Sequence, residues 1–130
     1  LMNNDVATEK ETITGEFEVK RLSKSMGEPF ILTLRPLRAE ESDRIPFKKG
    51  GMVDTNKMKK ILLSCGVTNK ELNDVDLLKQ YGVANKVELL DKILLPGEVT
   101  KIMEEIQVLS GFLAKKDEED EEELIDELKN

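Results

Sequence analysis

The sequence predicts an α+β fold: an N-terminal β-hairpin packed on a mainly helical body, with an acidic C-terminal tail. Three observations predict it. Apolar and polar residues alternate with period two around 13–20 and 30–35, apolar residues recur at helical spacing from Met58 onward, and nine carboxylates crowd into residues 117–127.

A chain of 130 residues is long enough for one modest core and too short for two. The expected organisation is a flexible arm over 1–14, a single domain over 15–114 and the acidic tail over 115–130. Charged residues make up 36% of the chain and aromatics 4%, with one Tyr and no Trp, so the interior has to be built from Leu, Ile, Val and Met. The net charge of −7 is concentrated at one end. Asp117, Glu118, Glu119, Asp120, Glu121, Glu122, Glu123, Asp126 and Glu127 face a single basic residue there, Lys129, which leaves 18 acidic and 19 basic residues in 1–116. A neutral body with a polyanionic tail lacks the clustered Lys and Arg of a nucleic-acid footprint, so no nucleic acid partner is expected. The longest apolar runs, such as 61–63 and 93–95, are three residues, whereas a membrane span needs about 20. No membrane partner is expected either, and the lone Cys65, which has no internal disulfide partner, fits a reduced intracellular setting.

Taken in order, the elements justify themselves locally. Phe17 and Val19 alternate with Glu16, Glu18 and Lys20, which predicts a strand at about 15–22. Phe30, Leu32 and Leu34 alternate with Ile31, Thr33 and Arg35, which predicts a second, and the polar stretch 23–29 reads as the loop between them. Pro36 has no amide hydrogen and ends the ladder. A short acidic turn at 39–45 meets Pro46, and Gly50-Gly51 marks a flexible link. Asp54 then caps a helix in which Met58, Ile61, Leu62 and Cys65 share one face and which Gly66 closes. A short segment at 73–81 carries Val75, Leu77, Leu78 and Tyr81 and stops at Gly82. Asn85 caps the next helix, with Val87, Leu90 and Leu94 on one face and Leu89 and Ile93 beside it, until Pro96-Gly97 breaks the pattern. The clearest amphipathic run follows, with Val99, Ile102, Met103, Ile106 and Leu109, and ends at Gly111.

Chemistry is scarce. The chain contains no His, which removes the commonest general base and the commonest metal ligand. No Ser-His-Asp set, Cys-His pair or CxxC motif can be assembled, and Gly50-Gly51 lacks the spacing of a phosphate loop. Cys65 lies on an apolar stripe and reads as a small buried hydrophobe. Glu40-Glu41 and Glu104-Glu105 read as solvated helix faces, and the acidic tail lacks the glycine and alternating ligands of a calcium loop. The expectation is a non-enzyme with no catalytic, cofactor-binding or metal-binding residues and no cofactor. Seven consecutive carboxylates at 117–123 repel one another and favour an extended, solvated state, yet Leu124, Ile125 and Leu128 would form an apolar stripe if a helix formed there. They are the first candidate partner-binding residues.

The segment from Asp76-Leu-Leu-Lys-Gln-Tyr-Gly-Val-Ala through Leu94-Leu-Pro-Gly-Glu98 to Leu109-Ser-Gly-Phe112 resembles the tail assembly chaperones of phages of Gram-positive bacteria. It is most similar to the XkdN-like group of contractile-tailed phages and PBSX-like prophages. Phe17-Glu-Val-Lys-Arg-Leu22 and Pro29-Phe-Ile-Leu-Thr-Leu-Arg-Pro-Leu37 are similar too, so the likeness covers about 15–113. In that family a Leu-Leu-Pro-Gly-Glu step joins two helices and a Leu-Ser/Asn-Gly-Phe closes the second. Leu95 and Phe112, which belong to those two motifs, join Leu124, Ile125 and Leu128 as candidate partner-binding residues.

The resemblance implies a chaperone that binds the apolar helices of the tape measure protein and helps recruit tail tube subunits, working in the host bacterial cytoplasm and absent from the mature virion. It also implies a further partner, a longer form of the same chain made by ribosomal frameshifting. The residues alone leave the oligomeric state open. They also leave two other readings open: a small structural component of a tail or tail-like particle, and a decoy module whose polyanionic tail occupies a basic protein.

Overall fold

A computed structural model describes residues 9–10, 12–46 and 50–114 of the chain. Two strands, β1 (Gly15–Glu18) and β2 (Ile31–Leu34), pair antiparallel with Gly15 opposite Leu34 and Phe17 opposite Leu32. Between them runs α1 (Lys20–Met26), and after them come α2 (Ala39–Ser42), α3 (Thr55–Gly66), a 3₁₀ turn (Lys70–Asn73), α4 (Val75–Tyr81), α5 (Lys86–Ile93) and α6 (Pro96–Leu109). The α+β architecture read from the sequence is the one observed.

The first strand is shorter than its alternation predicted. It ends at Glu18 because Val19 makes two commitments: its N–H donates to Phe30 O (3.0 Å), and its own carbonyl accepts from Ser23 N (3.0 Å), which starts α1. Residues 20–26 repeat apolar side chains at Leu22 and Met26, i and i+4, and end on Gly27 in the left-handed region, φ 73°. Part of the predicted loop is therefore helix. Ser23 Oγ accepts from Phe30 N at 2.8 Å, so the turn is tied to the start of β2.

β2 is covered on both edges. Beyond β1, the extended residues after α3 run along its other side: Arg35 N donates to Gly66 O (2.9 Å), Thr68 N to Thr33 O (2.9 Å), and Leu34 bridges Val67. The side chain of Asn69 prolongs this pairing, accepting from Thr33 N at 2.8 Å and donating to Ile31 O at 3.0 Å. An amide side chain here replaces strand backbone and satisfies donors that an edge would leave open.

The core is built from Val19, Leu32, Leu34, Leu62, Leu63, Val67, Leu89, Leu90, Ile102 and Ile106, all nearly inaccessible. α6 buries Val99, Ile102 and Ile106 as its spacing predicted, while Leu109 is half-buried over Gly15. α3 is rotated from the predicted face. Leu62, Leu63 and Gly66 are its buried residues, whereas Met58, Ile61 and Cys65 are only partly covered, because the helix packs against α6 on one side and α5 on the other. Gly66 is the last helical residue and carries no left-handed turn. It lies against Ile106, where a Cβ would sit 2.6 Å from Cδ1, so its smallness serves the close approach of α3 and α6. α4 buries only Leu78; Val75 and Tyr81 face outward.

Capping matches the sequence closely. Asp54 Oδ1 accepts from Lys57 N (3.2 Å), Asn85 Oδ1 from Glu88 N (2.9 Å), and Gly82 ends α4 with φ 68°. At the Pro96 break, α5 stops at Ile93 and α6 starts with Pro96 in its first turn, where a missing N–H costs nothing. Lys86 is buried, with its ammonium donating to the carbonyls of Ser64 (3.0 Å) and Val67, the unsatisfied end of α3. Burial lowers its pKa.

Candidate functional site

The chain between β2 and α2 is fixed by one ion pair. Arg35 donates to both oxygens of Glu41, Nη1 to Oε1 at 2.8 Å and Nη2 to Oε2 at 2.7 Å, and also to Pro36 O at 2.9 Å. Glu41 occupies the third position of α2 and reaches back to accept from Arg38 N at 2.8 Å. A planar guanidinium matches a carboxylate with two parallel bonds, so the pair sets orientation as well as charge. The Arg35 guanidinium holds the Glu41 carboxyl down at about 2 against the opposing effect of burial, with help from the Arg38 amide. Cys65 lies beside this pair, and burial together with Glu41 pushes its thiol up, which disfavours a reactive thiolate.

One residue further along, Leu37 N donates to Ser110 Oγ (2.9 Å), and that hydroxyl donates to Ile106 O (2.6 Å). Leu37 is thereby pinned to the end of α6. Gly111, with φ 84°, turns the chain so that Phe112 N donates to Gln107 O at 2.9 Å. The result is an open, largely apolar cleft of about 390 Å³ between α2, α3 and the end of α6, lined by Leu37, Ile45, Val53, Met58, Leu62 and Phe112 among others. Phe112 remains 56% exposed at its rim.

A second apolar cleft, of about 430 Å³, lies between α1, β2 and the α4–α5 pair, where Leu22, Met26, Phe30, Leu77, Tyr81 and Ile93 meet. Its rim residues Met26, Ile31 and Tyr81 are all exposed. The α5–α6 junction beside it is clamped by Arg21, which donates to Glu98 Oε1 (2.8 Å, Nη2) and Oε2 (3.1 Å, Nε) and to Ile93 O (2.8 Å). Glu98 in turn accepts from Leu95 N at 2.8 Å, capping α6. One arginine thus joins the carbonyl end of α5 to the capping carboxylate of α6, and Arg21 holds the Glu98 carboxyl below the usual range.

The candidate binding residues are not gathered into one place. Phe112 lines the first cleft. Leu95 is 54% exposed at the opposite end of α6, about 20–25 Å away along the helix, and lines neither cleft. Leu124, Ile125 and Leu128 lie outside the described residues. Sequence reasoning missed Leu37, Ile45 and Val53 as cleft residues and read Met58 and Leu62 as core alone. The only signal for Leu37, Ile45 and Val53 was position: each adjoins a Pro or a cap, where an apolar side chain cannot be assigned to a helix face by period.

Among the described residues no three acidic, Cys or His side chains gather as a metal ion would require, and no helix is long and apolar enough to cross a membrane. Two apolar clefts lie on a helical body, each rimmed by exposed large hydrophobic side chains, the kind of surface that receives an amphipathic helix. The chain belongs to the phage XkdN-like tail assembly chaperone family, whose family model matches residues 1–129. No curated protein and no solved structure matches it. The family's role is assembly of phage tails, a chaperone role and not an enzyme role.

Proposed function

We propose that this chaperone binds the apolar helices of the tape measure protein in its exposed clefts and helps bring tail tube subunits to the complex. The observation that carries the reading is the cleft under Phe112: apolar, open, and bounded by fixed elements, a surface suited to the apolar face of a helix. An amphipathic helix offers side chains at i, i+3, i+4 and i+7, and a groove between helices is the surface that receives them. The long, apolar tape measure helices need cover until the tube encloses them, and the acidic run 117–123 supplies charge that keeps such a complex dispersed. Work of this kind takes place in the host cytoplasm and ends before the contractile-tailed particle is complete, so the chaperone leaves the finished virion. Leu95 and Phe112, at the two ends of α6, would contact one long client helix at two points.

Co-expression with the tape measure protein of the same phage tests the reading. The soluble yield of the tape measure protein should rise, and moderate salt should weaken the complex only in part, because apolar burial supplies most of the affinity. No gain in soluble yield would overturn it.

A further inference from the structure

The cleft under Phe112 meets a second cleft of different character at Leu37. That neighbour, about 620 Å³, is lined by Lys10, Arg35 and Arg38 against the single carboxylate of Glu40. Arg35 is committed to Glu41, whereas Arg38 is exposed and, among the described residues, its side chain makes no ion pair. An apolar cleft therefore adjoins a basic one. The chain itself contains a segment with the same two properties in adjacent positions, seven carboxylates at 117–123 followed by Leu124, Ile125 and Leu128.

The connection is short. Phe112 already lines the apolar cleft, and the eleven residues 113–123 span at most about 36–40 Å when extended. That is enough to leave the cleft, cross its basic neighbour and return. A tether of this length gives an effective concentration on the order of millimolar, so even a weak apolar stripe is held at the cleft.

We propose that the apolar cleft is occupied in cis by Leu124, Ile125 and Leu128, with the acidic run 117–123 lying over Lys10 and Arg38. The segment covers Phe112 until a client helix displaces it. Only the identity of that competitor rests on the function proposed above; the intramolecular contact stands on the two clefts and the chain that links them.

The test uses the full chain alone, so its result is separate from that of the tape measure experiment. A nitroxide is attached at Asp126→Cys in a Cys65→Ser background, and broadening of methyl signals is read at Ile45 and Leu62 in the first cleft and at Leu77 in the second. Broadening confined to Ile45 and Leu62, unchanged on dilution and abolished by Leu124→Ser/Ile125→Ser/Leu128→Ser, is the expected result. Absent broadening, or equal broadening at all three sites, overturns the proposal. Broadening seen only when nitroxide-bearing and isotope-bearing chains are mixed also overturns it, by assigning the cleft to a second copy. As a second reporter, Phe112→Trp would be the only Trp in the chain. Its emission should move to longer wavelength in the triple-serine variant, and a spectrum that does not move counts against cis occupancy.

Discussion

Gly66 and Ile106 touch so closely that a single added carbon on the glycine would lie 2.6 Å from Cδ1, 2.8 Å from Cγ2 and 2.9 Å from Cγ1 of the isoleucine. Ile106 is β-branched, which restricts its χ1, and fully buried, so its side chain has little room to yield. Two effects of Gly66→Ala therefore oppose each other. Alanine favours a helix by about 1 kcal/mol over glycine, while overpacking a tight core typically costs about 1–3 kcal/mol. Because three atoms of a rigid side chain are involved, overpacking should dominate. Urea denaturation should show a net loss of stability for Gly66→Ala, and Ile106→Val, which removes the Cδ1 methyl, should restore part of it.

Truncation on the same side chain should cost more. Ile106→Ala removes atoms from a site with no exposed surface, which typically costs about 2–5 kcal/mol. That is a large share of the roughly 5–15 kcal/mol by which domains are stable. Thermal unfolding should show a clear drop in Tm; a shift within error would show that this face of α6 is not core.

Acid should weaken the region around α2 in a defined window. Glu41 titrates at about 2 in the folded chain against 4.5 ordinarily, so the folded state prefers its ionised form. Its contribution is fully present above the ordinary value and is lost as pH falls from there through about 2. Glu98 and Glu71 are shifted in the same direction. Stability measured by urea midpoint should fall across this range, and Glu41→Gln should flatten part of the fall while costing about 1–3 kcal/mol near neutral pH, where Arg35 loses its charged partner.

Phe112 and Leu95 should act independently on client capture. Both are exposed and they stand at opposite ends of α6, so neither substitution disturbs the other's surroundings. Phe112→Ser and Leu95→Ser should each lower the amount of tape measure protein recovered with the chaperone, and the double variant should show the sum of the two effects in free energy. Unchanged recovery for Phe112→Ser would remove the first cleft from the binding surface.

Reading of the gene offers a separate check. Lys115-Lys116 follows α6 and its Gly111 turn, and a Lys-Lys pair can be encoded by an adenine-rich heptamer on which ribosomes slip. A shift there would keep α6 in both products and replace the acidic run by a different extension. Sequencing codons 113–118, together with mass spectrometry for a larger product that shares the N-terminal peptides, checks this. The absence of both a slippery run and a second product would exclude this site.

Much of this protein was legible in its residues taken in order. Caps such as Asp54 and Asn85, stops such as Gly82 and Pro96, and the inward row Val99, Ile102 and Ile106 depend on neighbours within one or two turns, and local patterns carry that information. The composition, with few aromatics and apolar residues drawn mainly from Leu, Ile, Val and Met, pointed toward a mainly helical body. Tertiary structure decided what depends on distant neighbours. The alternation at 15–22 could not show that Arg21 would find Glu98 and Ile93 some seventy residues away, in a helix whose first turn, residues 20–22, replaces the end of the predicted strand. The stripe Met58, Ile61, Leu62 and Cys65 could not show that α3 lies between two helices and turns Leu63 and Gly66 inward. Gly66 ends α3 as the sequence suggested but makes no left-handed turn there, and a missing side chain looks the same in sequence whether it permits a turn or a close contact. Only the position of Ile106 distinguishes the two, and the clefts arise in the same way, from surfaces that belong to no single element.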